Sequence, residues 1–377
     1  MDRAAQEERR PAVVIYRAPL FNPSETFVRA HAQALQRYRP LMAGLEDKGN
    51  VPSDLAGSLF LPDGAAERIA ARLGQMRGLA GRLRGHDPRL VHAHFGPDGL
   101  AALPLARSLG VPLVTTLHGY DVALSRRRLL ASGRLSWIRY ALWRRRLMQS
   151  GDLFLAVSDA VRRAALAQGF PQARVETHYL GVDLTQFGAG GEREAGLVLH
   201  VGRLVEKKGT KVLIDAIARL GGARLVVIGD GPERARLEHR AAGLGERVQF
   251  LGALDAAAVR EWMRRAAVLA APSVTALDGD AEGLPTVIVE AAASSLPVVG
   301  TRHSGIPEAV IEGETGFLVP ENDAEALARR LALLLESAEL RGRMGAAGRR
   351  LAEERFDLRA QTAKLEEIYD RLTLPGL

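Results

Sequence analysis

Apolar residues gather in short runs, and the stretches between the runs carry helical spacing. In the first half the runs AVVIY (12–16), LVHA (90–93), PLVTT (112–116), LFLAV (153–157) and RVETHY (174–179) read as strands. Stretches such as 26–38 and 64–84 place apolar residues three and four apart and read as helices. The segment FGAGGEREAG (187–196) breaks the pattern with small and charged residues, as a linker does. The alternation then restarts. LVLHV (197–201), RLVVIG (224–229), RVQFLG (247–252), AVLAAP (267–272), LPVVG (296–300) and GFLVP (316–320) form a second set of strands. Helical patterns fill 209–220, 233–243, 255–266, 286–294, 323–336 and 339–354, and the tail 356–372 is a last amphipathic helix. Strand–helix alternation in two blocks predicts an α/β chain of two doubly wound parallel sheets. The expected domains are 1–187, a linker at 188–196, 197–355, and a final helix within 356–377 that crosses back to the first domain.

Length agrees with this division, because 377 residues exceed one ordinary domain. The chain is 47% apolar and 25% charged, which excludes a disordered body or a coiled coil. No window is long and apolar enough for a spanning helix, and the polar start MDRAAQEERR lacks a secretory core. A cytoplasmic protein is expected, with peripheral contact to the inner face of the cytoplasmic membrane. Zero cysteines exclude disulfides and thiolate metal sites.

Charge adds a division of labour. Residues 1–185 carry 26 basic and 16 acidic residues, and the rest carry 25 and 28. Different ligands for the two halves are expected. Five of the basic residues are lysines and 46 are arginines. Aromatic residues are only 5% of the chain, so stacking platforms for single strands, and a nucleic-acid partner, are not expected.

Three lysines fall between 207 and 211, in the segment HVGRLVEKKGTKVLIDAI (200–217). A strand ends, Gly202 opens a turn and a helix starts near Gly209, so Arg203 and Lys208 flank a helix N-terminus suited to an anion. A compact ammonium fits a crowded diphosphate. In DGDAEGLPTVIVEAAASSLPVV (278–299), Glu282 precedes Gly283, Leu284 and Pro285, and a helix starts near Thr286. Glu290 lies two turns on among apolar neighbours, where a carboxylate needs a partner such as the two hydroxyls of a ribose. Asp278 and Asp280 read as a polar loop and not as a metal pair. His92 and His94 share one strand face, in a structural or acceptor-side role; Asp98 and Asp121 add oxygen ligands without a tight cluster. GDGPER (229–234) lacks the third glycine of a dinucleotide fingerprint, which argues against a nicotinamide enzyme.

GRLVEKKG, GDGPER, FLGALD (250–255), EGLP with Glu290, and HSGIPEAVIEGETGFLVP (303–320) together resemble the family-4 retaining glycosyltransferases of the GT-B fold. FNPSETF (21–27), HAHFGPDGLAALPLA (92–106) and TLHGYD (116–121) resemble the exopolysaccharide, colanic-acid-type branch. The resemblance implies two facing Rossmann-like domains with a cleft between them. It implies transfer of a sugar from a nucleotide-diphosphate sugar to a saccharide or lipid-linked saccharide, with retention, without metal or other cofactor. Arg203 and Lys208 would hold the diphosphate, Glu290 the ribose, Glu282 with the amides of Gly283 and Leu284 the transferred sugar, and FLGALD the base. His118 would face the sugar from the first domain. Asn22, Ser24 and Glu25 stand where the family has a glycine-rich first turn. The alternatives are a sugar-nucleotide epimerase of the same fold and a non-catalytic sugar-nucleotide-binding protein.

The segment 126–146 has eight arginines and no acid. Tyr140, Trp143 and Leu147 are expected on one face of a helix, which suits contact with an anionic membrane surface through Arg126–Arg146.

Overall fold

A computed structural model describes residues 10–21, 25–49, 51–188 and 193–374. The chain divides into two compact units, one of Met1–Gly181 with Leu358–Leu377 and the other of Val182–Asp357. The second unit thus begins at Val182, ahead of the 187/188 boundary expected from the glycines. Among the residues of the expected linker, 189–192 lie outside the described residues.

The N-terminal unit holds seven strands: β1 (Ala12–Tyr16), β2 (Arg39–Ala43), β3 (Leu59–Phe60), β4 (Pro88–His94), β5 (Leu113–Leu117), β6 (Leu153–Ala156) and β7 (Val175–Thr177). Their order in the sheet is β3-β2-β1-β4-β5-β6-β7, and every pairing is parallel. All five residues of β1 are buried, because helices cover both faces of a parallel sheet. Strands β2 and β3 were missed in the sequence. RPLMA opens with arginine and proline and LF is two residues long, so neither makes a run. The stretch 64–84 is two helices, Gly64–Arg72 and Arg77–Arg84.

The C-terminal helix Leu358–Thr373 belongs to this unit. It buries Gln361, Thr362, Leu365, Glu366 and Tyr369, a stripe at helical spacing. The carboxylate of Glu366 accepts the backbone N–H groups of Gln36 and Arg37 at 2.8 and 2.6 Å. The buried acid is thereby satisfied, and the helix is pinned to the chain entering β2.

The segment 126–146 is not one helix. It comprises Arg126–Ala131 and Leu135–Ser150, joined through Gly133 at φ +68°. Tyr140 and Leu147 are fully buried, whereas Trp143 is 50% exposed. The three residues therefore do not present a common surface to a membrane. Gly96 receives the ring of Tyr140, and a Cβ there would come within 2.5 Å of the tyrosine oxygen.

The C-terminal unit holds β8 (Leu197–Val201), β9 (Arg224–Ile228), β10 (Val248–Gly252), β11 (Val268–Ala271), β12 (Val298–Thr301) and β13 (Gly316–Val319). Their order is β10-β9-β8-β11-β12-β13, again all parallel. In each unit the order reverses beside the first strand. The loops leaving β1 and β4, and those leaving β8 and β11, therefore open at the positions where such sheets bind ligands. No described helix is long and apolar enough to cross a membrane.

Candidate active site

In the C-terminal unit the chain leaves β8 through Gly202 and Arg203, makes a 3-10 turn at Glu206–Lys208, and enters the helix Thr210–Ala218 at Gly209. Gly209 has φ +64°, and a Cβ there would meet the carbonyl oxygen of Pro272 at 1.8 Å. Only glycine lets the two loops at the switch point approach so closely. His200 fixes the same place from below. Its Nδ1 lies 2.9 Å from the carbonyl of Ala270, and its Nε2 lies 2.9 Å from Thr210 Oγ1. Burial lowers its pKa to about 4, so the ring is neutral.

Lys208 reaches across to Glu282. Its Nζ lies 3.2 Å from Glu282 Oε1, and Lys207 Nζ lies 3.9 Å from the same oxygen. That oxygen is buried without an aligned hydrogen-bond donor. Burial alone would raise the Glu282 pKa, but the two ammonium groups outweigh it and hold the carboxyl below its ordinary value. Lys207 also pairs with Asp280 at 3.1 Å, so the acid of the DGD loop already has a cation. Arg203 is exposed and its guanidinium has no partner among the described residues. A cluster of two lysines, one carboxylate and one uncommitted arginine, set at the mouth of a parallel sheet, can hold a diphosphate and a sugar hydroxyl together.

Gly283, Leu284 and Pro285 follow Glu282 and lead into the helix Thr286–Ala293. This loop is anchored by His303 and Ser304, which the sequence reading quoted without a role, and by Glu321, which lies just beyond the quoted segment. His303 Nε2 accepts the N–H of Glu282 at 3.2 Å, and its Nδ1–H donates to Glu321 at 2.7 Å. Ser304 Oγ donates to the carbonyl of Glu282 at 2.5 Å. These three side chains come from after β12 and β13, so only the folded sheet brings them to Glu282. Glu290 sits on the first turns of the same helix. Burial pushes its pKa up to about 7, against the attraction of Arg260 and the hydroxyl of Thr286. The carboxyl is thus close to half ionised at neutral pH. In FLGALD, Asp255 caps the helix Ala256–Arg265 by accepting from the N–H of Ala258 at 2.8 Å.

In the N-terminal unit the loops leaving β1 and β4 meet around Arg17, which the sequence reading passed over. Its guanidinium binds Glu25 through two hydrogen bonds of 2.7 Å and Asp98 Oδ2 at 2.5 Å. It also lies 4.5 Å from the centroid of Phe95. Burial opposes its charge, but Asp98 and Glu25 outweigh it and hold the proton more firmly than usual. Glu25 and Asp98 are therefore committed to an internal ion cluster. Asn22 and Ser24 lie outside the described residues. Phe95 sits at φ +73°, a conformation disfavoured for a side chain, at the entry to the helix Gly96–Leu109.

His118 follows β5 and packs, with tilted rings, against Phe27 and Phe95 with centroids 4.7 and 4.2 Å away. The carboxylate of Asp121 accepts the N–H groups of Gly96, His118 and Gly119 at 3.0, 3.1 and 2.8 Å. The histidine loop is thus tied to the loop after β4. Burial lowers the pKa of His118 to about 3, so the ring is neutral and acts through hydrogen bonds. His92 and His94 are fully buried beside His31, and their ring nitrogens come within 4.8 Å of one another. His31 stands on the helix Thr26–Ala34 whereas His92 and His94 stand on β4, and nothing in the sequence pairs it with them.

Comparison with known proteins places both units in one family. Residues 24–186 match the model described as Glycosyltransferase Family 4, and residues 186–351 match Glycosyl transferases group 1. The chain is 38% identical over 252 residues to the putative colanic acid biosynthesis glycosyltransferase WcaL of Escherichia coli (strain K12), covering 64% of this chain and 60% of that one. It thus spans about three fifths of the length of that relative. It is 32% identical over 291 residues to the amylovoran biosynthesis glycosyltransferase AmsK of Erwinia amylovora, covering 74% of this chain and 69% of AmsK. The crystal structure of Anabaena HepE in complex with UDP and glucose superposes with a TM-score of 0.77 at 22% identity, over 96% of this chain and 99% of that one. With the Rossmann order of both sheets and matches over nearly the whole length, the chain belongs to the family-4 glycosyltransferases and has the GT-B fold.

Proposed function

We propose that the protein is a retaining glycosyltransferase of exopolysaccharide or related surface-glycan synthesis. It moves a sugar from a nucleotide-diphosphate sugar to a saccharide acceptor, free or lipid-linked. The observation that carries this reading is the pairing of Lys208 with the buried Glu282 beside the uncommitted Arg203, at the switch point of the C-terminal sheet. Lys208 and Arg203 neutralise the departing diphosphate, and Glu282 orients a hydroxyl of the transferred sugar. Preorganised charges of this kind lower the barrier because they need no rearrangement as the leaving oxygens gain charge. No metal or other cofactor is required in this scheme. Glu290 takes the ribose as an acceptor of two hydrogen bonds. His118, neutral and partly open, donates to or accepts from the sugar. With no carboxylate assigned as a nucleophile, the acceptor attacks on the face the phosphate leaves, and the phosphate takes the acceptor's proton. The names of the relatives support the pathway class, and the UDP bound in HepE supports a nucleotide donor.

A panel of nucleotide sugars tested by ligand-induced unfolding shift checks the donor, since ligand at 100 times Kd stabilises by about 2.7 kcal/mol. Release of nucleoside diphosphate that depends on a saccharide acceptor supports the transferase. Turnover without acceptor points to the epimerase, and binding without turnover to the non-catalytic reading.

The anionic membrane surface is the second part of the proposal. Its anchors are Leu135, Leu142 and Trp143, exposed by 60, 46 and 50%, in place of the buried Tyr140 and Leu147. Exposed arginines 126, 127, 128, 134, 145 and 146 surround them. Each basic residue near an anionic surface contributes about 1 kcal/mol, and salt screens it. Binding to anionic vesicles is expected to fall with salt and with Trp143→Ala. Equal binding to neutral vesicles would remove this surface.

A further inference from the structure

Six side chains form one hydrogen-bonded file through the interior of the N-terminal unit. Thr116 Oγ1 lies 2.7 Å from His92 Nε2, and His92 Nδ1 lies 2.5 Å from the Tyr369 hydroxyl. That hydroxyl is 2.9 Å from His31 Nε2, and His31 Nδ1 is 3.1 Å from His94 Nε2. His94 Nδ1 then lies 3.2 Å from His118 Nε2. Thr116, His92, Tyr369, His31 and His94 are buried, and His118 is the partly open end. Its Nδ1 is the one ring nitrogen of the file without a partner among the described residues.

Burial keeps these rings neutral. It lowers His31 and His118 to about 3 and holds His92 and His94 well below the ordinary histidine value. A neutral imidazole has one N–H and one lone pair, so the direction of one link fixes the next. The Tyr369 hydroxyl has a single hydrogen for two histidines. If it donates to His31, then His31 donates from Nδ1 to His94, and His94 donates from Nδ1 to His118. His92 must then donate from Nδ1 to the tyrosine oxygen. If the hydroxyl donates to His92 instead, every ring in the file carries its hydrogen on Nε2. Four rings therefore share one tautomer. The Thr116 end selects it. His92 is the partner of Thr116 Oγ1 among the described residues, so the buried hydroxyl hydrogen is satisfied only when it is given to His92 Nε2. That orders the file with Nδ1–H throughout.

We propose that Tyr369, on the C-terminal helix, is a positioning residue that holds His118 as the Nδ1–H tautomer through His31 and His94, so that its open nitrogen is a hydrogen-bond donor to an oxygen of the transferred sugar. The tautomer stands on this geometry and on the burial that keeps the rings neutral; its use in turnover rests on the sugar-facing role of His118. The file also limits another use of the cluster. Both ring nitrogens of His31, His92 and His94 are engaged, so a metal ion among them would have to break the file.

The test is the tautomeric state of each ring in the full chain labelled with 15N-histidine, read from long-range proton–nitrogen correlations between pH 6 and 9. All four rings are expected to be neutral Nδ1–H tautomers, unchanged by EDTA or by zinc. A mixed set, four Nε2–H rings, an imidazolium in the file at pH 7, or a spectrum rearranged by zinc overturns the proposal. In Tyr369→Phe the His118 signal is expected to move towards a mixture of tautomers, and kcat/KM for the donor to fall about tenfold, as for one lost hydrogen bond. A His118 spectrum identical to that of the parent overturns the role of Tyr369. If the variant does not fold, the parent spectrum still decides. A changed tautomer with unchanged turnover upholds the file and overturns instead the sugar-facing role of His118.

Discussion

Replacing Lys208 by methionine tests the centre of the proposed chemistry, because stability and turnover respond through different groups. The ammonium lies 3.2 Å from Glu282 Oε1, with the two side chains 16 and 10% exposed. At an effective dielectric near 20 the gross attraction is about 5 kcal/mol, much of it offset by desolvation. Removing one partner of a buried pair costs about 3–5 kcal/mol. Here Lys207, 3.9 Å away, retains part of the compensation, so the lower end is expected. The loss also has a pH signature. Glu282 is held below its ordinary pKa in the fold, so it stabilises above the unfolded value near 4.5, and the gain disappears as pH falls through the folded value. The stability gap between parent and Lys208→Met should therefore be widest near neutrality and close as pH falls through the folded value. Adding Glu282→Gln should restore much of the stability, because no unpaired charge then remains buried. It should not restore turnover. One preorganised cation on a leaving oxyanion is worth about 3–4 kcal/mol, or 100- to 1000-fold in kcat. Urea unfolding at several pH values, with nucleotide release at saturating donor, measures both. A Lys208→Met enzyme within threefold of the parent rate would remove Lys208 from the diphosphate site.

The Glu290 carboxyl, raised to about 7, keeps its proton in the fold while the unfolded chain has lost it, so stability declines from pH 4.5 to 7 by about 3 kcal/mol. Glu290→Gln should flatten that decline. It should also abolish the rise in UDP affinity expected between pH 6 and 8 as the carboxylate forms; a parent affinity without pH dependence would refute the ribose contact. Arg203→Ala should change stability by less than about 0.5 kcal/mol, since the side chain is exposed and unpartnered among the described residues, yet weaken donor binding by about 1.5–3 kcal/mol. Unchanged donor affinity in calorimetry would exclude it from the site. Activity should survive excess EDTA. Loss restored by manganese would make Asp278 and Asp280 metal ligands, in spite of the ion pair between Asp280 and Lys207.

Two kinds of information separate cleanly in this protein. Periodicity is local, so the sequence alone determined eleven of the thirteen described strands, most of the helices between them and the two-block α/β organisation. It also marked the loops that carry Arg203, Lys208 and Glu282 and the helix that carries Glu290, because a strand end followed by a helix start is a local pattern. Strands β2 and β3 have no such pattern and exist because a sheet edge was available for them. The face presented by 135–150 was likewise undecidable from spacing. Tyr140 and Trp143 both fit an amphipathic stripe, and the neighbouring helix Gly96–Leu109 determines which of them is core. The supports of the site were still less legible. Arg17 joins Glu25 to Asp98, His303 and Glu321 hold the Glu282 loop, and Tyr369 meets His31 and His92 from the last helix. Each of these contacts joins residues on different elements, from 8 to 338 positions apart. Hydrogen bonds and ion pairs act over a few ångströms of space, so only the tertiary structure decided which donors and acceptors meet.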